Sequence, residues 1–209
     1  AMKLEKAPKI AVYTPDYNAR KGTRTQPWDD AVTLVLTYAE IPYDQIYDKE
    51  IIRGDLALYD WLHLHHEDFT GQYGKFYAAY KNASWYKEQV KKAEADATEL
   101  GFKKVSELKL QVAQNIKNYI LGGGFLFSMC SGTDSYDIAL AAANTDICEV
   151  MFDGDPADPA AQEKLDFSKS LAFENFTLEM RPLQYEYSNI DATPIHSRTP
   201  ETSDLFFTI

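Results

Sequence analysis

The order of strand-like and helix-like segments along the chain predicts an α/β fold. Short runs rich in β-branched and aromatic residues occur at 9–14, 43–47, 59–64 and 125–129, and segments with helical spacing of apolar residues alternate with them. Such alternation is typical of a flavodoxin-like, doubly wound architecture, a mostly parallel sheet with helices on both faces. No linker or internal repeat divides the 209 residues, so we expect a single domain spanning 1–209.

The first part of the chain supplies two strands and a helix. Residues 9–14, KIAVYT, have strand composition and stop at Pro15. A helix is expected to begin at Pro27, because proline is favoured at the first helical position. Its apolar positions recur at helical spacing and are Ala31, Leu34, Val35 and Tyr38. The second strand candidate is 43–47.

A third strand, at 59–64, is followed by two long helices. The first, at 84–100, carries an apolar stripe, is polar elsewhere and stops at Gly101. We therefore expect residues 82–104 to form a helical insertion on the surface. The second helix, at 108–121, ends at three consecutive glycines.

The rest of the chain is organised around residues 122–143, GGGFLFSMCSGTDSYDIALAAA. A glycine turn precedes an apolar run of the length of a buried strand, and the S-x-x-D pattern at 131–134 indicates a helix start. Cys130 lies between them, and Gly132 permits the sharp turn. Backbone N–H groups at a helix start stabilise a thiolate and can bind an oxyanion. This is the pattern of a nucleophile elbow, with oxyanion candidates Ser131, Gly132 and Thr133.

The motif FSMCSG at 127–132 resembles the G-x-C-x-G elbow of class I glutamine amidotransferase-like domains, with Ser128 in place of the first glycine. The segments WLHLHHEDFTGQYGKF and MCSGTDSYDIALAA resemble a bacterial family often labelled "asparagine synthetase B" and, more distantly, ThuA-like proteins. The resemblance implies an amidotransferase-like α/β fold and cysteine chemistry. Through the ThuA-like proteins it also implies a link to carbohydrate.

Polar side chains cluster in the loops that follow the predicted strands, where parallel sheets bind ligands. The loops expected on one rim are 15–26, 65–74 and 130–133. The second loop begins with candidates for a base or a substrate-positioning group near Cys130, namely His65, His66 and Glu67. Arg20 and Arg24 of the first loop, next to Lys21, are candidates to hold an anionic substrate group. A purely structural role for the histidines and a solvated basic loop are the alternatives.

Two segments have residue types found in metal sites. His63 and His65 share a face of the third strand and, with His66 and Glu67, offer zinc ligands. Only one short segment supplies these ligands, so we expect no metal and no cofactor. Three acidic residues of a later loop suggest calcium, although Asp-Pro turn chemistry explains them equally well. They are Asp153, Asp155 and Asp158. Cys148 has no elbow context and is expected in the core.

Composition limits the partners. The net charge of −11 argues against nucleic acid and anionic membranes, and no segment is apolar over the length of a bilayer span. A small-molecule substrate is the expected partner. Location stays open between the cytoplasm and, with a signal peptide ahead of Ala1, the periplasm. Residues 150–209 are expected to be irregular, with short strands completing a sheet edge, and the apolar end at 204–209 suggests a further domain of a longer chain.

Two functions follow from these patterns. The first is a cysteine-dependent hydrolase or amide-transfer enzyme of unknown substrate, in which Cys130 attacks a carbonyl. The second is a non-catalytic binding or interaction domain that keeps the fold. The resemblance implies a downstream histidine followed two residues later by glutamate, yet His196 is followed by Arg198 at that spacing. We therefore predict that this chain alone does not hydrolyse glutamine at an enzymatic rate.

Overall fold

The computed structural model describes residues 7–14 and 31–190. Within them lies a four-stranded, all-parallel sheet in the order β2-β1-β3-β4. Its strands are β1 (Ile10–Tyr13), β2 (Tyr43–Ile46), β3 (Trp61–Leu64) and β4 (Phe125–Ser128). The predicted α/β class with a parallel sheet is confirmed, and the strand order is consistent with a flavodoxin-like fold.

Helices follow or connect the strands, and two of them are long. The helices are α1 (Ala31–Tyr38), α2 (Asp48–Arg53), α3 (Tyr77–Tyr80), α4 (Ser84–Glu99), α5 (Val105–Leu121), α6 (Ser131–Ala141) and α7 (Val150–Asp153). Short 3-10 turns occupy Asp55–Leu58, Tyr73–Lys75, Gln162–Lys164 and Phe167–Lys169. None of the helices in the described segments is both long and apolar enough to cross a bilayer.

The two faces of the sheet bury different sets of side chains. Ile10 and Val12 pack with Leu36 of α1 on one face. The larger core lies on the other face, where alternate positions of β1 and β3 meet α2, α5 and α6. Its main members are Ala11, Tyr13, Leu62, Leu64, Ile51, Leu108, Val112, Ile116, Tyr136 and Leu140. Helices therefore lie on both faces, as the sequence predicts, and α1 covers only part of its face.

The expectation that 125–129 forms a buried strand is wrong. β4 pairs only with β3 among the described strands, so it forms an edge of the sheet. Phe125 and Phe127 are exposed, and Leu126 is half-buried. An apolar run of this length fits a strand in either place, because its composition does not reveal whether a neighbour covers it.

The two long helices begin and end near their predicted limits. α4 lies within the predicted segment, and its Tyr86 and Ala97 join the main core, while the insertion itself stays a prediction. α5 begins at Val105, three residues before the predicted start at 108. The Glu107 carboxylate accepts hydrogen bonds from the backbone N–H groups of Lys103 and Lys104, which caps the helix early.

Residues 150–190 contain short helical turns and one isolated antiparallel bridge, between Leu178 and Ser188, and no strand. Instead of extending the sheet, this part packs on α6, where Phe176 and Tyr187 meet Ile138. The buried Lys75 secures it by donating to the carbonyls of Glu179 and Glu186, at 2.7 and 2.6 Å. Burial lowers the pKa of Lys75 to about 8. The described part is irregular, as expected, but the expectation that its short strands complete a sheet edge is wrong for these residues.

Candidate active site

Cys130 lies on the turn between β4 and α6, as the elbow pattern predicts. Its backbone has φ 50° and ψ −143°, a conformation that a residue with a side chain rarely adopts, and its thiol is exposed. The helix starts one residue earlier than the S-x-x-D pattern indicates, with Cys130 rather than Ser131 at the N-cap. Asp134 does not cap the helix start, and its carboxylate accepts from the Ser135 N–H at 2.8 Å.

The turn is pressed against the loop that follows β3. The Gly132 N–H donates to the His65 carbonyl at 3.0 Å. A Cβ at Gly132 would lie 2.8 Å from that oxygen and 3.3 Å from Glu67 Oε2. Only glycine fits such an approach, so Gly132 joins the two loops as well as permitting the turn.

Ser135 adds a second connection between the same loops, and sequence reasoning missed it. Its hydroxyl donates to the Glu67 carbonyl at 2.8 Å, and the Phe69 N–H donates to that hydroxyl at 3.4 Å. Serine inside a helix carries no distinctive pattern, so nothing in the sequence indicates this role. Two of the three loops predicted to share a rim, those after β3 and β4, thus lie side by side.

The histidine loop brings its candidate residues together. The rings of His65 and His66 lie 3.5 Å apart, centroid to centroid, and His65 is buried whereas His66 is exposed. His63 lies deeper, 6.2 Å from His65 and stacked on Phe127 at 5.5 Å. The Glu67 carboxylate accepts from the His65 backbone N–H at 2.5 Å, so it fixes the start of the loop.

Asp68 shapes the remainder of this loop. Its carboxylate accepts from the N–H and hydroxyl of Thr70, at 2.7 and 2.6 Å, and from the Gly74 N–H at 2.9 Å. A Cβ at Gly71 would lie 2.8 Å from the backbone of Ser106 in α5. The loop is therefore held by its own carboxylate and by close packing on α5, so its shape is fixed.

Fewer backbone N–H groups at the turn are left to bind an oxyanion than the sequence suggests. The Gly132 N–H is engaged by the His65 carbonyl, and the Thr133 N–H donates to the Cys130 carbonyl at 3.0 Å. The Thr133 hydroxyl donates to Ser128 Oγ at 3.3 Å. Of the three oxyanion candidates, Ser131 is the one whose backbone N–H makes no hydrogen bond to another described residue.

A buried polar network lies at the carboxyl ends of β1 and β2, next to the loops described above. Lys109 Nζ of α5 donates to both carboxylate oxygens of Asp48, each at 2.9 Å, and to the hydroxyls of Tyr13 and Tyr47, at 2.9 and 2.8 Å. Burial, followed by the nearby Asp48 carboxylate, raises the pKa of Tyr13 well above its usual value. Tyr13 ends β1, and Tyr47 and Asp48 directly follow β2, so the network links the ends of these two strands.

Cys148 is a core residue, as predicted. Its thiol is buried and donates to the Thr70 carbonyl at 3.2 Å. Burial, reinforced by the nearby Asp153 carboxylate, raises the pKa of this thiol well above its usual value. It lies in the wall of a cavity of about 270 Å³ between the loop after β3, α5 and the end of α6.

The carboxylates of the acidic loop 153–158 form ion pairs with lysines. Lys104 Nζ lies 2.8 Å from Asp146, 2.9 Å from Asp153 and 2.8 Å from Asp155, whereas Asp158 pairs with Lys164. One group in the described part of the chain brings three possible ligand atoms within 4.8 Å, namely Asp146, Cys148 and Asp153. The ammonium of Lys104 already supplies positive charge between these carboxylates, so ion pairing accounts for their clustering.

Some of the predicted site residues lie in segments that the structure does not describe. Arg20, Lys21 and Arg24, with the rest of the loop 15–26, lie outside the described residues, as does His196.

Comparison with protein-family models, curated proteins and solved structures finds no match for this chain. The resemblance to amidotransferase-like domains therefore stays a prediction.

Proposed function

We propose that Cys130 is the nucleophile of a hydrolase or amide-transfer site of the class I glutamine amidotransferase-like type, acting on a carbonyl of a small molecule. The observation that carries this proposal is the exposed thiol in a left-handed turn at φ 50°, between a parallel strand and a helix start. Strained backbone at an exposed nucleophile is typical of functional sites. A buried structural cysteine such as Cys148 needs no such conformation.

The proposed chemistry uses groups on the two adjoining loops. The Cys130 sulfur forms a bond to the carbonyl carbon while the carbonyl π bond breaks, and its proton passes to an imidazole, His65 or His66. The Ser131 N–H and the positive end of α6 stabilise the resulting oxyanion. Collapse of this adduct expels the leaving group, which takes the proton back from the imidazole, and water then releases the acyl group.

Alkylation with iodoacetamide, followed by peptide mass mapping, tests the nucleophile. Cys130 should react at least tenfold faster than Cys148, because Cys148 is buried and its pKa is raised. Exposure alone would also favour Cys130. The matched control is therefore a Lys103→Cys variant in a Cys130→Ala background, which has an exposed thiol away from the turn. Equal rates at Cys130 and at this introduced cysteine would contradict an activated thiol.

A non-catalytic binding domain is the second candidate, and one observation favours it. The loop opposite the elbow presents the His65 carbonyl to Gly132, so an acceptor lies where an acyl-transfer site needs a donor. Reaction with p-nitrophenyl acetate distinguishes the two candidates. An active site should give a burst of about one nitrophenolate per chain that disappears in Cys130→Ala, whereas a binding domain should give none. The link to carbohydrate stays a prediction.

Glutamine hydrolysis is expected to be absent from this chain. Loss of catalytic partners typically costs several orders of magnitude in rate, and the turn offers few donors for the oxyanion. Ammonia release from glutamine should therefore be the same for the unmodified chain and for Cys130→Ala. Turnover that depends on Cys130 would contradict this prediction, and His65→Asn and His66→Asn variants would then identify the base.

A further inference from the structure

The outer edge of β4 exposes apolar side chains and no charge, which is unusual for the surface of an acidic protein. Phe125, Phe127 and Met129 are 56%, 45% and 37% exposed, and they lie on one face because strand side chains alternate. The ring of Phe125 extends this face by an edge contact with Trp61, at 5.6 Å. Residues 122–130 contain no charged residue and no proline, the two devices that commonly protect an edge strand from pairing.

The backbone of this edge is available for pairing. The N–H groups of Phe125 and Met129 point toward β3 and donate to the carbonyls of Asp60, the residue before that strand, and of Leu64, each at 3.0 Å. In a parallel pair, both polar groups of a residue point to the same side, so the alternate residues Leu126 and Ser128 direct their N–H and C=O groups away from β3. Within the described residues no strand takes up these groups.

We propose that β4 pairs antiparallel with β4 of a second copy of this chain, about a two-fold axis at Phe127. In this register Leu126 and the partner's Ser128 exchange both backbone hydrogen bonds, and the symmetric pair does the same. Phe127 lies against the partner's Phe127, and Phe125 lies against the partner's Met129. The result is a continuous eight-stranded sheet, twice the four strands described, in which the apolar side chains of the two β4 strands lie on one face.

A second copy fits this edge for reasons of symmetry and charge. A two-fold axis normal to the sheet keeps each side chain on its own face, so every exposed apolar residue of β4 meets another apolar residue. The net charge of −11 makes most contacts between copies repulsive, whereas this edge brings no charge into contact. The strand and its three side chains form a small interface, so we expect a dissociation constant of roughly micromolar to tens of micromolar.

The dimer also bears on the elbow. Cys130 directly follows the paired strand, and the register places the partner's Gly124 across from it. The ring of Tyr119 packs over Gly124, in the place that a Cβ would take, so in the dimer a tyrosine ring comes close to the elbow. The inference rests on the edge of β4 and does not depend on the proposed function.

Sedimentation velocity on the full chain tests the association. The apparent mass should rise from that of one chain to that of two across about three decades of concentration centred on the micromolar range. Phe127→Lys places two ammonium groups on the axis and should keep the chain monomeric throughout, with an unchanged circular dichroism spectrum. Leu183→Lys, at a similarly exposed apolar residue outside β4, should still dimerise. A chain that remains monomeric at every concentration overturns the proposal.

Disulfide trapping tests the register, in a Cys130→Ser background. Paired residues on the axis have Cα atoms about 4.5 Å apart, within the range of a disulfide, so Phe127→Cys should form a covalent dimer on oxidation. Phe125→Cys is the matched control, because its two copies lie about 14 Å apart in this register and cannot bridge. Equal cross-linking of both variants overturns the register. A monomer whose β4 amides are protected from hydrogen exchange shows that another segment covers the edge, and overturns the dimer.

Discussion

Cys130 combines an exposed thiol with a backbone conformation that residues with side chains rarely adopt. Holding a non-glycine residue there costs about 1–3 kcal/mol, which the surrounding contacts must offset. Hydrogen bonds on both sides of the cysteine contribute, from the Met129 N–H to the Leu64 carbonyl and from the Gly132 N–H to the His65 carbonyl. The backbone at Cys130 is therefore fixed by the end of β3 and by the start of the loop that follows it.

Gly132→Ala should lower the free energy of unfolding by about 1–3 kcal/mol. The added Cβ would lie 2.8 Å from the His65 carbonyl oxygen, a backbone atom that cannot move away without shifting the loop. Urea denaturation measures the loss. Gly122→Ala is the control, because φ there is −79° and the nearest contacts of a Cβ are at 3.4 Å. An equal loss in both variants would show that the close approach is not responsible.

At the scale of elements, α6 is the helix that fixes the site. Of its residues only Thr133 is not buried, because the helix packs on both sides. Tyr136 and Leu140 face the main core, while Ile138 and Ala141 face residues 150–190. A helix covered all round usually lacks charged residues, yet Asp134 and Asp137 are buried here, and both carboxylates accept backbone hydrogen bonds.

Asp137→Asn should detach the C-terminal part from α6 and lower the free energy of unfolding by about 2–3 kcal/mol. The carboxylate accepts three backbone N–H groups, from Leu171, Ala172 and Phe173, at 2.8, 2.8 and 2.7 Å. An amide replaces one acceptor by a donor that faces another N–H. Urea denaturation and limited proteolysis within 154–173 report the change.

The control for Asp137→Asn is Asp166→Asn. Asp166 is a more accessible carboxylate that caps a short turn through Ser168, so its replacement should cost about 1 kcal/mol or less. Proteolysis of Asp137→Asn at the same rate as the unmodified chain would show that the apolar contacts with α6 hold this part without the carboxylate.

At the scale of the whole molecule, polar chemistry gathers at the carboxyl ends of the strands. The Lys109 network joins the ends of β1 and β2, the histidine loop follows β3, and Cys130 follows β4. Parallel strands end at one edge, so residues distant in sequence meet there. The four described strands leave β4 uncovered beside this rim, so the proposed dimer contact lies on the strand that leads into the turn of the proposed nucleophile.

The sequence by itself determined the class of fold and the place of the turn that carries Cys130. Alternating strand and helix patterns fix which segments are strands, because side-chain periodicity and turn residues are local properties. The glycine turn, the apolar run and Cys130 belong to one short segment, so the elbow is visible without a structure. The core position of Cys148 was also predictable, since nothing near it in sequence activates a thiol.

Tertiary structure decided what depends on contacts between distant segments. Whether 125–129 is covered depends on a neighbouring strand, which the composition of the run does not encode. The engagement of Gly132 by His65, the anchoring by Ser135 and the role of Lys104 among three carboxylates each join loops far apart in sequence. Such pairings follow from the order of strands in the sheet and from the packing of helices on it. The pairings in turn determine which backbone N–H groups remain to bind a ligand.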